Sequence, residues 1–123
     1  MPWKCSILAD HPILETSYSG SLTPQELDTA INETLVMAES TSTTLLLGNC
    51  MDLVGGHSIT DLYFFAETVA GHPAIASIKE ALLLPSLSAS SEMVEFWETA
   101  CLNRGIRVRV FHDRQPAIDW LLE

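Results

Sequence analysis

Positive charge is scarce in this chain. Six Lys and Arg stand against sixteen Asp and Glu in 123 residues, a formal charge of −10. Sequence-independent nucleic-acid binding depends on cations that displace counterions from phosphates, so that class is excluded. An electrostatic grip on anionic lipid is excluded on the same ground. Cysteine is sparse as well: Cys5, Cys50 and Cys101 are far apart, odd in number, and form no Cys-x-x-Cys. No zinc knuckle, thioredoxin motif or disulfide framework is written here, and free thiols point to a reducing cytoplasm. Long apolar runs are missing. The most apolar stretches, Leu45-Leu46-Leu47 and Ala81-Leu82-Leu83-Leu84, fall far short of a membrane span. The opening residues lack the apolar core and small-residue site of a secretory signal. Six Gly and six Pro are too few for collagen-like or low-complexity classes. What is present is 47% hydrophobic against 18% charged residues, enough for the packed core of a single domain spanning 1–123.

Along the chain, Trp3 to Ala9 reads as a strand, Asp10-His11-Pro12 as a turn, and Ile13 to Ser19 as a second, half-exposed strand, the two forming an antiparallel hairpin. Thr23-Pro24-Gln25-Glu26 opens the first helix: Thr23 caps, Pro24 sits where a missing N–H is harmless, and Glu26 closes a capping box. Leu27, Ala30, Ile31, Leu35 and Ala38 then share one face. Thr43 to Asn49 is a buried strand, and Cys50 to His57 is expected as a loop. Ser58 to Ala70 is a second helix, stopped by Gly71-His72-Pro73. Ile78 to Leu84 is a buried strand with Lys79 and Glu80 wetting its start. Glu92 to Asn103 is a third helix, with Gly105 as left-handed cap. Ile106 to Phe111 alternates at period two with its Arg residues in water, which places it near a sheet edge. A short last helix starts at Pro116, capped by Asp113 or Gln115. The order is β-β-α-β-α-β-α-β-α: an α/β domain with a five-stranded mixed sheet, mostly parallel with one antiparallel strand, flanked by four helices. Ligands of such sheets gather at strand carboxyl ends, here Asn49 to Ser58, Leu84 to Ser91 and His112 to Gln115.

Several constellations bear on chemistry. Cys50, Asp52 and His57 could form a nucleophilic triad of a small hydrolase, but all three share one short loop, and the plainer reading is favoured: a small hydrophobe at a strand end, an exposed acid and a turn histidine. His11, His57, His72 and His112 show no metal-ligand spacing, and no metal or cofactor is expected. Gly55-Gly56 lies between a strand and a helix but lacks the P-loop lysine. Ser58 and Thr60 sit at a helix N-terminus, where a phosphate would be stabilised and where an ordinary N-cap is also common. On the second helix Leu62, Phe65, Ala66 and Val69 share a stripe, while Phe64 points nearly opposite and Tyr63 sideways. Phe64 is then buried under a neighbour or marks a homodimer interface. Met93, Phe96 and Trp97 read as core, and Met and aromatics also line adaptable pockets.

The run Glu95-Phe96-Trp97-Glu98-Thr99, the exit Asn103-Arg104-Gly105, the strand Ile106 to Phe111 and the closing Ala117-Ile118-Asp119-Trp120-Leu121 carry a resemblance. With Gly20-Ser21-Leu22-Thr23 and the element order, the chain resembles the SpoIIAA-like branch of the STAS fold, a branch also likened to Sec14-type (CRAL-TRIO) lipid carriers. Sporulation-type antagonists of the superfamily carry a phosphorylatable serine in Asp-Ser-Ser-Gly at the second helix. Here Ser58-Ile59-Thr60-Asp61 stands in that region without matching it. The resemblance implies a cytoplasmic, non-enzymatic domain that binds an apolar, lipid-like ligand or a partner protein. Leu62, Tyr63, Phe65, Met93, Phe96 and Trp97 are the expected lining. The alternative is a phospho-regulated anti-sigma-factor antagonist with Ser58, or secondarily Thr60, as the switch.

Overall fold

Unbroken apolar runs, Leu45-Leu46-Leu47 and Ala81-Leu82-Leu83-Leu84, make the central strands bury both faces of one sheet. In the computed structural model, which describes residues 2–55, 69–71, 77–84 and 91–123 (without the side chains of 54, 55 and 91–95), eight elements follow in order. They are β1 (Trp3–Ile7), β2 (Ile13–Ser21), α1 (Pro24–Ser40), β3 (Leu45–Gly55), β4 (Lys79–Leu83), α2 (Ser91–Leu102), β5 (Arg107–Phe111) and α3 (Arg114–Leu121). The sheet order is β1-β2-β3-β4-β5. Only the β1–β2 pair is antiparallel. Three of the four expected helices are α1, α2 and α3; of the other, only Val69 and Ala70 are described, and both are helical.

Strands laid down in chain order, with every parallel crossover stepping the same way, put their connecting helices on one face. That face holds Leu14, Leu46, Leu82 and Val108 of the strands under Leu27, Ala30, Leu35 and Ala38 of α1 and Ala100 and Cys101 of α2. Among the described residues the opposite face is covered by α3, whose Ala117, Ile118 and Leu121 pack on Ile13, Leu47, Ala81 and Leu83. No reversal of strand order occurs, so the crevice expected at strand carboxyl ends has no topological basis.

Local signals hold where they are strongest. The Thr23 hydroxyl accepts from Glu26 N at 3.1 Å, and the Glu26 carboxylate accepts from Thr23 N at 2.9 Å. Gly105 has φ +77 at the end of α2, and Ile106 N reaches back to the Cys101 carbonyl at 3.0 Å. β5 is an edge strand with Arg107 and Arg109 exposed. Its Val110 N–H donates to the Glu98 carboxylate at 2.6 Å, which blunts that edge.

Two expectations fail. Cys50 to Gly55 is strand, not loop: β2 runs on to Ser21 and pairs with it, Gly20 facing Leu53 and Ser21 facing Gly55. A bulge moves the register from Ser17–Asn49 to Ser19–Asp52, so three steps on β3 oppose two on β2. Cys50 and Leu53 therefore both turn into the helix-covered core. The last helix starts at Arg114 rather than Pro116, and Asp113, its N-cap, makes no side-chain cap bond.

What ties that start to the sheet is Glu15. Arg114 grips it with Nη2 at 2.7 Å from Oε1 and Nη1 at 3.1 Å from Oε2, while Asn49 Nδ2 donates to Oε2 at 3.0 Å. Glu15 is buried, and Arg114 is half-exposed. The guanidinium bonds hold the Glu15 carboxyl below its ordinary range against the opposing pull of burial. A depressed carboxyl contributes stability above its unfolded value and loses it as pH falls through the folded one.

Arg114→Ala is expected to cost about 2 kcal/mol in urea unfolding at pH 7, because a buried carboxylate loses its cation. The deficit should shrink in acid, as pH falls through the lowered range in which Glu15 takes up a proton. Gly48→Ala is expected to cost about 1–3 kcal/mol, since its Cβ would come within 2.7 Å of Leu82 Cδ2 in the packed layer. Urea midpoints of the two variants check both.

Candidate ligand-binding cavity

Between the sheet and the helices on the thicker face lies a cavity of about 90 Å³. α1 supplies Leu27, Ile31 and Leu35 to its roof, and β3 supplies Leu46, Cys50 and Leu53 to its floor. The bulge matters here, because without the extra residue Cys50 and Leu53 could not both face it. α2 adds Trp97 and Cys101. The wall is mostly apolar, with a small number of polar atoms, the composition usual for a ligand pocket.

Those polar atoms divide into two sets. One is satisfied internally. The Thr34 hydroxyl donates to the Ala30 carbonyl at 2.8 Å, so in its 2.8 Å contact with Thr16 it accepts, and Thr16 in turn accepts from the Cys5 thiol at 3.3 Å. The other set faces the cavity. Glu80 is half-buried as a residue, but its carboxyl group is enclosed, and the Trp97 indole N–H donates to it. Burial pushes the Glu80 carboxyl up to about 7 despite that bond. Tyr18, on β2, also lines the space. Burial, then the nearby Cys50, Glu80 and Cys5, drives its phenol well above the ordinary range. Its hydroxyl has no hydrogen-bond partner among the described residues.

Glu80 was expected to wet the start of its strand. The structure overturns this for a reason visible in the register: Glu80, Leu82 and Leu84 alternate onto one side of β4, and that side is the helix-covered one. Lys79, on the other side, lies over the Trp120 ring at 4.4 Å and donates to the Trp120 carbonyl. Gly48, on the neighbouring strand, makes room for Leu82 on this same side: a Cβ there would stand 2.7 Å from Leu82 Cδ2, while Glu80 Oε2 at 3.7 Å would be in ordinary contact.

Of the residues expected to line a ligand site, Trp97 does so. Phe96 is half-buried against the same core. The Met93 side chain, and Leu62, Tyr63, Phe65, the interface candidate Phe64 and the switch candidates Ser58 and Thr60, lie outside the described residues. Sequence reasoning missed Tyr18, Glu80 and the whole α1 contribution. Period-two alternation along Glu80, Leu82 and Leu84 was the available signal for Glu80.

The triad suggested by Cys50, Asp52 and His57 does not assemble from its described members. Cys50 is buried and Asp52 exposed, and His57 lies outside the described residues. Burial, then the Glu80 charge, pushes the Cys50 thiol up to about 12, so it stays protonated and un-nucleophilic at neutral pH. Cys101 is pushed up by burial as well. No group of three His, Cys, Asp or Glu able to hold a metal occurs among the described residues. His112 Nδ1 lies 3.0 Å from the Leu84 carbonyl and so carries the proton there. No described helix is long and apolar enough to cross a membrane.

This architecture matches a solved one. The crystal structure of an uncharacterized DUF3478-family protein with a SpoIIAA-like fold, from Shewanella loihica PV-4, superposes with a TM-score of 0.60 at 17% identity, over 97% of this chain and 91% of that one. The fold is SpoIIAA-like. No protein-family model matches the chain, and no curated protein matches it. At 17% identity the likeness carries the SpoIIAA-like architecture and no residue's role. Within it, the cavity wall belongs to this chain's own side chains.

Glu80 leaves a thermodynamic signature. In the unfolded chain its carboxyl ionises near 4.5, and in the fold at about 7, so the native state holds an extra proton between them. Stability from this group falls as pH rises through that window and levels off above it, by about 3 kcal/mol in all. Glu80→Gln should flatten the slope between pH 5 and about 7 and be the more stable protein at pH 8, as read by urea midpoints across pH.

Proposed function

We propose that this SpoIIAA-like domain is a non-enzymatic binding module whose ligand is a small apolar molecule held between the sheet and helices α1 and α2. The observation that carries this reading is the cavity itself: an apolar wall with Glu80 and Tyr18 presenting polar atoms to it. Well-packed interiors have few such voids, and each costs stability that a bound molecule restores. The neutral thiols of Cys50 and Cys101 support a site that holds rather than transforms its ligand. The three free cysteines favour a reducing, cytoplasmic setting.

Volume sets the size of the ligand. An engineered cavity of about 150 Å³ takes benzene, so 90 Å³ suits about four or five heavy atoms. A fatty acyl chain, the ligand of a lipid carrier, fits only if α1 and α2 move apart over the sheet.

The test uses n-pentane and xenon as apolar probes. Saturating pentane should raise the melting temperature by a few degrees, and dissolved xenon should show a protein-bound shift in its NMR spectrum. Leu35→Phe, which fills the roof, should abolish both effects while leaving the protein folded. A wild-type protein that responds to neither probe overturns the reading.

A further inference from the structure

Glu80 is the single charged side chain lining the cavity among the described residues. Its carboxyl is enclosed, and the described hydrogen bond it accepts comes from the Trp97 indole. A carboxylate has about four lone-pair sites, so acceptor capacity is left over, facing an otherwise apolar space. No cationic residue lines the cavity among the described residues to use it. We propose that the cavity selects its ligand by a hydrogen-bond-donating, uncharged head group: it takes a short aliphatic alcohol, whose hydroxyl donates to Glu80 and whose chain lies on Leu35, Leu46 and Leu82, and it rejects the carboxylic acid of the same length. This deepens the reading of the cavity as a ligand site and rests on it.

Three physical points favour an alcohol. A hydroxyl in this position makes the bond that a water would make to Glu80, while its chain covers wall that a water leaves bare. A carboxylate ligand would place a second negative charge beside Glu80 in a region of low dielectric, where like charges strongly oppose each other. An ammonium would add the cost of burying its own charge, with Glu80 alone to offset it. The ligand class is therefore opposite to a free fatty acid at its polar end.

The experiment compares n-pentane, 1-butanol, butyrate and butylammonium with the wild-type protein at pH 8 by NMR titration. 1-Butanol is expected to bind about tenfold more tightly than pentane, one charge-assisted hydrogen bond's worth, with butyrate not binding. Glu80→Met, which removes the acceptor and keeps an unbranched side chain, should bring butanol down to the affinity of pentane. Glu80→Gln, which keeps an acceptor carbonyl without the charge, should retain the preference for butanol and relax the rejection of butyrate. Butanol no tighter than pentane overturns the inference and leaves the apolar site standing; failure of every probe overturns both. Butylammonium binding more tightly than butanol overturns the uncharged head group. A preference for butanol lost in Tyr18→Phe but kept in Glu80→Met overturns Glu80 as its partner.

Discussion

Strand order governs this structure. With β2, β3, β4 and β5 side by side in chain order, the returns through α1 and α2 pass over the same face of the sheet. That face becomes thick, with α1 and α2 lying on it, while among the described residues the other carries the eight-residue α3. A doubly wound sheet would divide its helices and open a crevice at strand ends. This one concentrates side chains beneath one layer of helices, and the cavity lies there.

The two faces treat a buried carboxylate in opposite ways. Glu15 on the α3 side has a guanidinium, an amide and a hydroxyl around it and is held ionised. Glu80 on the α1–α2 side has, among the described residues, one indole N–H, and burial pushes it toward neutrality. The first is a fastening that brings residue 114 onto β2 and starts α3 early. The second is joined to α2 by that indole bond and has no counter-charge among the described residues. An ionisable group placed in an apolar wall without a counter-charge costs stability, and such groups concentrate where a protein binds something.

The β3 bulge links fold to site. One added residue turns both Cys50 and Leu53 inward and lets the strand run on to Gly55 beside β2. The continuous apolar run that marks this strand in the sequence stops before Asn49, where the bulge follows, so the strand read there ends too soon. The same break hid the floor of the cavity, and it made a buried thiol look like a loop nucleophile.

Local chemistry was legible. The capping box at Thr23 and the left-handed Gly105 follow from residues a few positions apart, and the mixed five-stranded sheet with β5 at its edge follows from the order of elements and the pattern within each. The likeness to the SpoIIAA-like fold was readable for the same reason: it is a likeness of element order. The site was not. Tyr18, Thr34, Glu80 and Trp97 come from four elements, and only Trp97 stood out as a lining residue. Whether a polar residue in an apolar strand meets water or a cavity depends on which face the crossovers cover. That is settled by the handedness and direction of chain returns over tens of residues, and the Glu80 carboxyl is enclosed because α1 and α2 cover its side.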